Sequence, residues 1–485
     1  MFPFKSHLKI EKGQKVPVYS QLSTQIIGLI KTGLLPPGFK MPGSRTMSEL
    51  LSVHRKTITQ VYGELQMQGW LESIPGSGTF VPKNIPIINP QKILVETGQR
   101  PKKAGFYFEK KEFLIREPIK ASDLLHLDDG FPDPRLAPLP ELARAYRSNL
   151  LYGNSYQKLG YGDTAGLLWL RKELSAYINE SRSLKINENN ILIVRGTIMA
   201  LYLTNLGLVK TGDKIAMGWP GWLSARISFL QAGAEVIEIP TDEYGIDTDA
   251  LEIVCQKQKI RLLYVTPHHN YPTTYTLKAD RRVILLQLAE KYDFIIFEDD
   301  YDYDFHYQSR PLLPLASADS NGRVLYSGSF TKSISPAFRV GYLVATEDVI
   351  QHLSHHRRLI DRQGDNMLEN ALAQLLHEGI IQKHLRKSLK EYKARRDFFC
   401  EKLKSDFSGK IEFQTPEGGM SVWAQFDSEI DMKKTTETAI KKGLYFNDGA
   451  THDTDKIKNC TRLGFASSTL KELDQCLKIL GESIK

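Results

Sequence analysis

Residues 327–342 read SGSFTKSISPAFRVGY, and the fold of most of the chain can be worked out from this stretch. It is bracketed by two short apolar runs, 324–326 and 342–345, of the kind that form buried strands. Between the runs stand one lysine, Lys332, and an arginine seven positions later, Arg339. Further apolar runs lie upstream at 191–194, 214–217, 235–239, 262–266 and 294–297, with helical stretches between them. Near-continuous apolar strands alternating with helices predict a mainly parallel sheet covered on both faces, an α/β domain beginning near residue 121. After about residue 350 the text turns helical, and a smaller α+β segment completes the chain.

In an open α/β sheet, ligands sit beyond the carboxyl ends of the strands. The polar residues that follow each run are therefore the candidate site. Gly196 and Thr197 follow ILIV and open a helix, whose free N–H groups and hydroxyl suit a phosphate. Asn270 follows LLYVTPHH, Asp299 and Tyr301 follow FIIFE, and Lys332 follows VLYSGSFT. Parallel strands would bring all of these to one crevice. A lysine amine forms a Schiff base with an aldehyde, a carboxylate such as Asp299 keeps a pyridine nitrogen protonated, and the Tyr301 phenol can bond to a ring hydroxyl. Ser329, Arg339 and Thr197 can hold a phosphate. Each residue alone has a duller explanation, but the ordered set describes pyridoxal 5′-phosphate.

The first 82 residues have a different texture. Val18, Leu22, Ile26 and Leu29 recur at helical spacing until Gly33 and the LPPG turn at 35–38. Ser44 or Thr46 starts a second helix, Thr46 with Glu49 forming a capping box. Ile58, Val61, Tyr62 and Leu65 mark a third, closed by Gly69. Strand-like runs at 70–74 and 79–81 flank the hairpin tip PGSG. On the third helix the apolar stripe leaves Arg55, Lys56, Thr57, Thr59 and Gln60 facing outward, suited to phosphates and base edges. Arg45 and the glycine-rich tip at 76–78 add phosphate donors.

Charge supports this division. The chain has 485 residues and a net charge of +8. Residues 1–82 hold 9 Lys/Arg against 4 Asp/Glu, as do residues 83–120, whereas the rest carries 46 against 48. Basic charge confined to the first quarter points to an anionic partner, nucleic acid first. Residues 83–120 lack periodicity and read as an exposed basic linker. The 4 cysteines show no CxxC pairing, so neither a disulfide framework nor a zinc site is signalled, and a reducing cytoplasm fits. No signal peptide or spanning segment is expected.

Two resemblances sharpen the reading. PVYSQLSTQI and LLPPGFKMPGSRTMSELLSVHRKTITQVYGELQMQGWLESIPGSGTFV resemble the winged helix-turn-helix of the GntR superfamily. This implies DNA contact through Arg45, Arg55, Lys56 and Thr57 and through the wing near Gly76. His54 stands where relatives commonly carry Ser or Thr, so base preference does not transfer. SGSFTKSISPAFRVGY, EDDYDYDF, TPHHNYPTT, GYGDTAGLLWLRKEL and TRLGFA resemble, in order, the signatures of fold-type I aminotransferases over residues 125–485. That likeness implies the PLP-dependent transferase fold type I, with Lys332 forming the internal aldimine and Asp299 on the pyridine nitrogen. It also implies Tyr301 and either Asn270 or its neighbour Tyr271 on the ring oxygen, Trp222 stacked on the ring, and Arg462 receiving a substrate carboxylate. Tyr161 would reach the phosphate of a partner subunit, making a homodimer the active unit. Three departures bear on ligand geometry: Ile198 and Met199 where many relatives carry Gln, Trp222 for a commoner Tyr, and Thr274 for a usual Gly.

Fused, the two parts resemble the MocR/GabR-type transcription regulators. The resemblance implies a GntR-like domain at 1–82, a linker at 83–120 and an aminotransferase-like effector domain at 121–485. It further implies an operator in double-stranded DNA and sensing of an amino compound or PLP by aldimine exchange at Lys332. The rival expectation is a working aminotransferase with an accessory DNA-binding domain.

Overall fold

The computed structural model describes residues 2–11, 13, 15–85, 102–115, 125–307, 312–453 and 457–484. They fall into two compact units, Met1–Lys110 and Lys111–Lys485. Residues 86–101 and 116–124, most of the expected linker, lie outside the described residues.

In the first unit, α1 (Val18–Lys31) buries Leu22, Ile26, Leu29 and Ile30. Helix α2 (Ser44–Leu51) buries Met47, and α3 (Arg55–Met67) buries Ile58, Val61, Tyr62 and Leu65, the stripe read from the spacing. His54 caps α3 by accepting from the Lys56 N–H at 3.1 Å. The hairpin β1 (Glu72–Ile74) and β2 (Gly78–Phe80) is the wing; β1 is two residues shorter than its run, and β2 is shifted by one from its own. The capping box is not formed. Helix α2 begins at Ser44 behind Gly43 with no side-chain cap, leaving Thr46 and Glu49 inside the helix. The start at Ser44 is one of the two expected, and just before it the Tyr62 hydroxyl donates to Pro42 O at 2.8 Å.

The second unit is built on an eight-stranded sheet among the described residues. Its strands are β3 (Ile191–Val194), β4 (Lys214–Trp219), β5 (Glu235–Asp242), β6 (Gly245–Ile246), β7 (Leu262–Val265), β8 (Ile295–Asp300), β9 (Val324–Ser329) and β10 (Gly341–Val344). The order is β3-β10-β9-β8-β7-β4-β5-β6. The run β9-β8-β7-β4-β5 is parallel throughout. Strand β10 is antiparallel to both β9 and β3, and the short edge strand β6 is antiparallel to β5. Alternate residues feed two cores: Ile215, Met217, Leu262 and Tyr264 pack on one face, Ala216, Leu263 and Val265 on the other. This two-sided burial is what the near-continuous apolar runs demanded.

The smaller part holds an antiparallel sheet of β11 (Ile411–Phe413), β12 (Ser421–Phe426) and β13 (Cys460–Gly464). The strand Leu125–Leu127 pairs in parallel with Leu444–Phe446. The first described residues after the linker thus belong with the C-terminal part, not with the large sheet. That pairing carries residues 128–131 to the crevice. Among the described residues, no helix is long and apolar enough to cross a membrane.

Candidate functional site

Lys332 sits in the single helical turn Phe330–Ser333 that follows β9 directly. Ser329 begins the turn by accepting from the Thr331 N–H at 3.0 Å, which fixes the direction in which Lys332 projects. Its Nζ donates to Gly130 O at 2.5 Å and lies 4.7 Å from the centroid of the Phe131 ring. Burial lowers the pKa of the amine from its usual value, opposed chiefly by the nearby Asp129 carboxylate.

Asp299, near the end of β8, pairs in register with Ser327 of β9. It accepts from the Tyr264 hydroxyl at 2.7 Å and the Thr197 hydroxyl at 3.2 Å. Burial pushes its carboxyl up to about 7, against the lowering effect of those two donors. The other acids of this run are occupied elsewhere. Glu298 accepts the Leu315 and Ala316 N–H groups, Asp300 is bonded by Tyr326, Asp302 by His269, and Asp304 by Tyr177. Of the run's carboxylates, Asp299 lines the cavity that Lys332 enters.

That cavity measures about 410 Å³. One end collects anion donors. Gly196 caps α4 (Thr197–Leu208) at φ 77°, and a Cβ there would come within 3.0 Å of the Arg339 guanidinium. Arg339 has a left-handed backbone, φ 51°, and donates from Nη2 to Arg195 O at 2.8 Å. Ser329, Thr331 and Arg339 line the same end as Thr197. Trp222, at the start of α5 (Leu223–Gln231), lines the wall.

Several expected residues stand differently. The Thr197 hydroxyl is engaged by Asp299, so α4 offers its N-terminal N–H groups to a phosphate rather than that hydroxyl. Tyr301 reaches the cavity, but its hydroxyl donates to His269 O at 2.7 Å and keeps only its lone pairs for a ligand. Asn270 does not line this cavity; its amide donates to Thr273 at 3.0 Å within its own loop. Tyr271, the alternative position, does line it. Tyr161 is 79% exposed, beneath the Arg362 guanidinium at 4.0 Å, and takes no part in the cavity of its own chain. Arg462 lines the cavity but is not free: its Nε lies 2.6 Å from Asp129 Oδ1.

Sequence reasoning passed over Tyr264, Asp129 and Phe131, all lining the cavity. Tyr264 carries a polar tip inside an apolar strand, a signal that was there to use. The Asp-Asp-Gly at 128–130 follows a strand run too short to stand out.

In the first unit, Arg45, Arg55, Lys56 and Gly76 are exposed and Thr57 is half-buried. Arg55 Nε donates to Ser44 Oγ at 3.3 Å, tying the start of the recognition helix to α2. Gly76 has φ 74° at the hairpin tip, a conformation that favours glycine.

Residues 123–480 match the family model for aminotransferase class I and II, and the chain belongs to that family. Residues 18–81 match the model for bacterial regulatory proteins of the gntR family. The combination is that of the MocR-type regulators. The chain is 28% identical to the uncharacterized HTH-type transcriptional regulator YdfD of Bacillus subtilis over 98% of both chains. It is 27% identical to the probable rhizopine catabolism regulatory protein MocR of Rhizobium meliloti, over 91% of this chain and 88% of that one. The kynurenine aminotransferase of Pyrococcus horikoshii, solved with PMP, covers 78% of this chain and 96% of its own, with TM-score 0.71 and 29% identity. The family's cofactor is pyridoxal 5′-phosphate, and the donor set fits it: an amine at Lys332, a buried carboxylate at Asp299, and Ser329, Arg339 and the α4 N-terminus for a phosphate.

Proposed function

We propose that the chain is a transcription regulator that reads operator DNA with its winged helix and takes its signal in the Lys332 cavity. The signal is an amino compound or pyridoxal 5′-phosphate itself. One observation carries this reading: Lys332, Asp299, Ser329 and Arg339 line a single cavity in a chain whose other unit exposes Arg55 and Lys56 at the start of α3.

When bound, the cofactor supplies an aldehyde on an electron-withdrawing ring. Lys332 would provide the amine that holds that aldehyde, and burial favours the neutral, nucleophilic form of the amine. Asp299 holds a proton at the ring nitrogen. Ser329, Arg339 and the first N–H groups of α4 would hold the phosphate, with Trp222 in the wall beside the ring. A ligand in the cavity that binds one domain arrangement more tightly shifts the population toward it, and DNA affinity follows. In a homodimer, the exposed Tyr161 reaches the partner's phosphate site, and two winged helices span two half-sites.

The test is a gel shift on the DNA upstream of the chain's own gene, with and without the cofactor and candidate amines. Sequence-selective binding that changes with ligand supports the proposal, and no selective binding under any condition overturns it. The complete donor set favours a second reading, an aminotransferase with an accessory DNA-binding domain. Steady turnover of an amino donor and a 2-oxo acid within the ordinary enzyme range of about 1 to 1000 per second would favour that alternative.

A further inference from the structure

The lining of the cavity contains a second carboxylate of the chain itself, Asp129. Asp129 follows the strand Leu125–Leu127 in a loop held rigidly by Asp128. Asp128 Oδ1 accepts the N–H groups of Gly130 at 2.9 Å and Phe131 at 2.7 Å, and its Oδ2 accepts from Ser467 at 2.7 Å. The Asp128 carbonyl also accepts the Gly464 N–H at 2.8 Å, tying the loop to β13 two residues beyond Arg462. So placed, Asp129 Oδ1 lies 2.6 Å from Arg462 Nε, and its Oδ2 accepts from the Tyr271 hydroxyl at 3.0 Å.

Arg462 is 4% exposed and Asp129 43% exposed at the side chain. Arg462 Nη1 donates to Pro272 O at 3.0 Å, and its guanidinium lies 4.8 Å from the Tyr271 ring centroid. The contact with Asp129 is close but poorly directed, and the buried Nε–H finds no acceptor in hydrogen-bond geometry among the described residues. Arg462, the cation placed to take a ligand carboxylate, is therefore faced by an internal anion that also lines the cavity. A ligand with a carboxylate beside its amine must compete with Asp129 for the guanidinium and sit against its charge. A ligand without one meets no such conflict, and a second ammonium on it would be attracted.

We propose that Asp129 is a built-in counter-ion to Arg462 that directs the cavity toward primary amines lacking an adjacent carboxylate. The proposal rests on the reading of the Lys332 cavity as the cofactor site. It makes Asp129 a specificity-determining residue and changes the role of Arg462 from carboxylate receiver to partner of the chain's own acid.

The experiment uses the full chain loaded with pyridoxal 5′-phosphate. Borohydride reduction followed by peptide mass mapping first establishes whether the cofactor is on Lys332. Dissociation constants are then measured by absorbance titration and calorimetry for two probe pairs that differ only by the carboxylate, L-phenylalanine with 2-phenylethylamine and L-lysine with 1,5-diaminopentane. The wild type should bind the decarboxylated member of each pair more tightly. Asp129→Ala should move the ratio toward the amino acid by at least about tenfold, because close charge pairs couple by that much or more. Asp129→Asn should move it in the same direction, and adding Arg462→Gln to Asp129→Ala should abolish the gain. A gained affinity cannot come from misfolding. A wild type that prefers the amino acids, or the same ratio in wild type and both variants, overturns the proposal. Absence of cofactor from Lys332 overturns the cofactor reading, and this inference with it.

Discussion

The hydroxyl of Tyr264 donates to Oδ2 of Asp299 at 2.7 Å across adjacent parallel strands. The bond favours the ionised carboxylate in a place where burial disfavours it. It therefore bears on whether Asp299 carries the charge that a protonated pyridine nitrogen requires. Tyr264→Phe removes a hydrogen bond to a charged group, an effect of about 1.5–3 kcal/mol. The cofactor dissociation constant should rise by roughly ten- to a hundredfold. The pH dependence of cofactor binding should move upward, because losing the donor raises the Asp299 pKa further. Absorbance titration between pH 6 and 9 measures both.

Glu298, Asp299 and Asp300 stand side by side on β8, and burial pushes each up to about 7. Their unfolded values are about 3.9 to 4.3. A carboxyl that holds its proton more tightly when folded stabilises the fold fully below its unfolded pKa and loses that contribution as pH rises through the folded value. Cofactor-free protein should therefore melt at a lower temperature near pH 8 than near pH 5. Asp299→Asn should flatten the dependence, and bound cofactor should offset the Asp299 share by placing a positive charge against it. Melting curves across pH, with and without cofactor, check the sign.

Lys332→Ala should remove the borohydride-fixed adduct while leaving the melting behaviour of the winged-helix unit and its DNA affinity intact. Ligand control of DNA binding should disappear. In the wild type, an allosteric coupling of about 1–3 kcal/mol would change DNA affinity roughly 5- to 150-fold. In the variant the change should be none, as measured by fluorescence anisotropy of a labelled operator.

Lys56→Ala and Arg55→Ala should each weaken DNA binding and reduce its salt dependence. A lost phosphate contact lowers the slope of log K against log salt by about 0.9. A variant that loses specificity at one base position with an unchanged slope would instead place that side chain on a base edge. Anisotropy titrations at several salt concentrations on matched and mismatched operators separate the two.

The residues readable in advance were those whose neighbours along the chain already state their role. Lys332 follows a strand, Arg339 precedes one, Asp299 ends an apolar run, and Gly196 opens a helix; Lys332, Arg339 and Asp299 line one cavity together with Thr197. Asn270 sits in a loop whose path is set by local bonds, with Thr274 N donating to Asn270 O at 2.7 Å and Asn270 N to Tyr275 O at 2.7 Å. Its amide bonds to Thr273, and Tyr271 lines the cavity. The role of Thr197 was incomplete because its hydroxyl bonds to Asp299, a residue 102 positions away.

Local pattern alone established the winged-helix unit and the mainly parallel sheet and pointed to Lys332, because apolar periodicity and turn residues act over a few positions. Folding in three dimensions decided which groups face one another. Parallel pairing of residues 125–127 with 444–446 brings Asp129 to Arg462, and no pattern along the chain announces that meeting. The physical reason is range: backbone preferences are set by near neighbours, whereas the field inside a cavity sums charges that only the closed fold brings together.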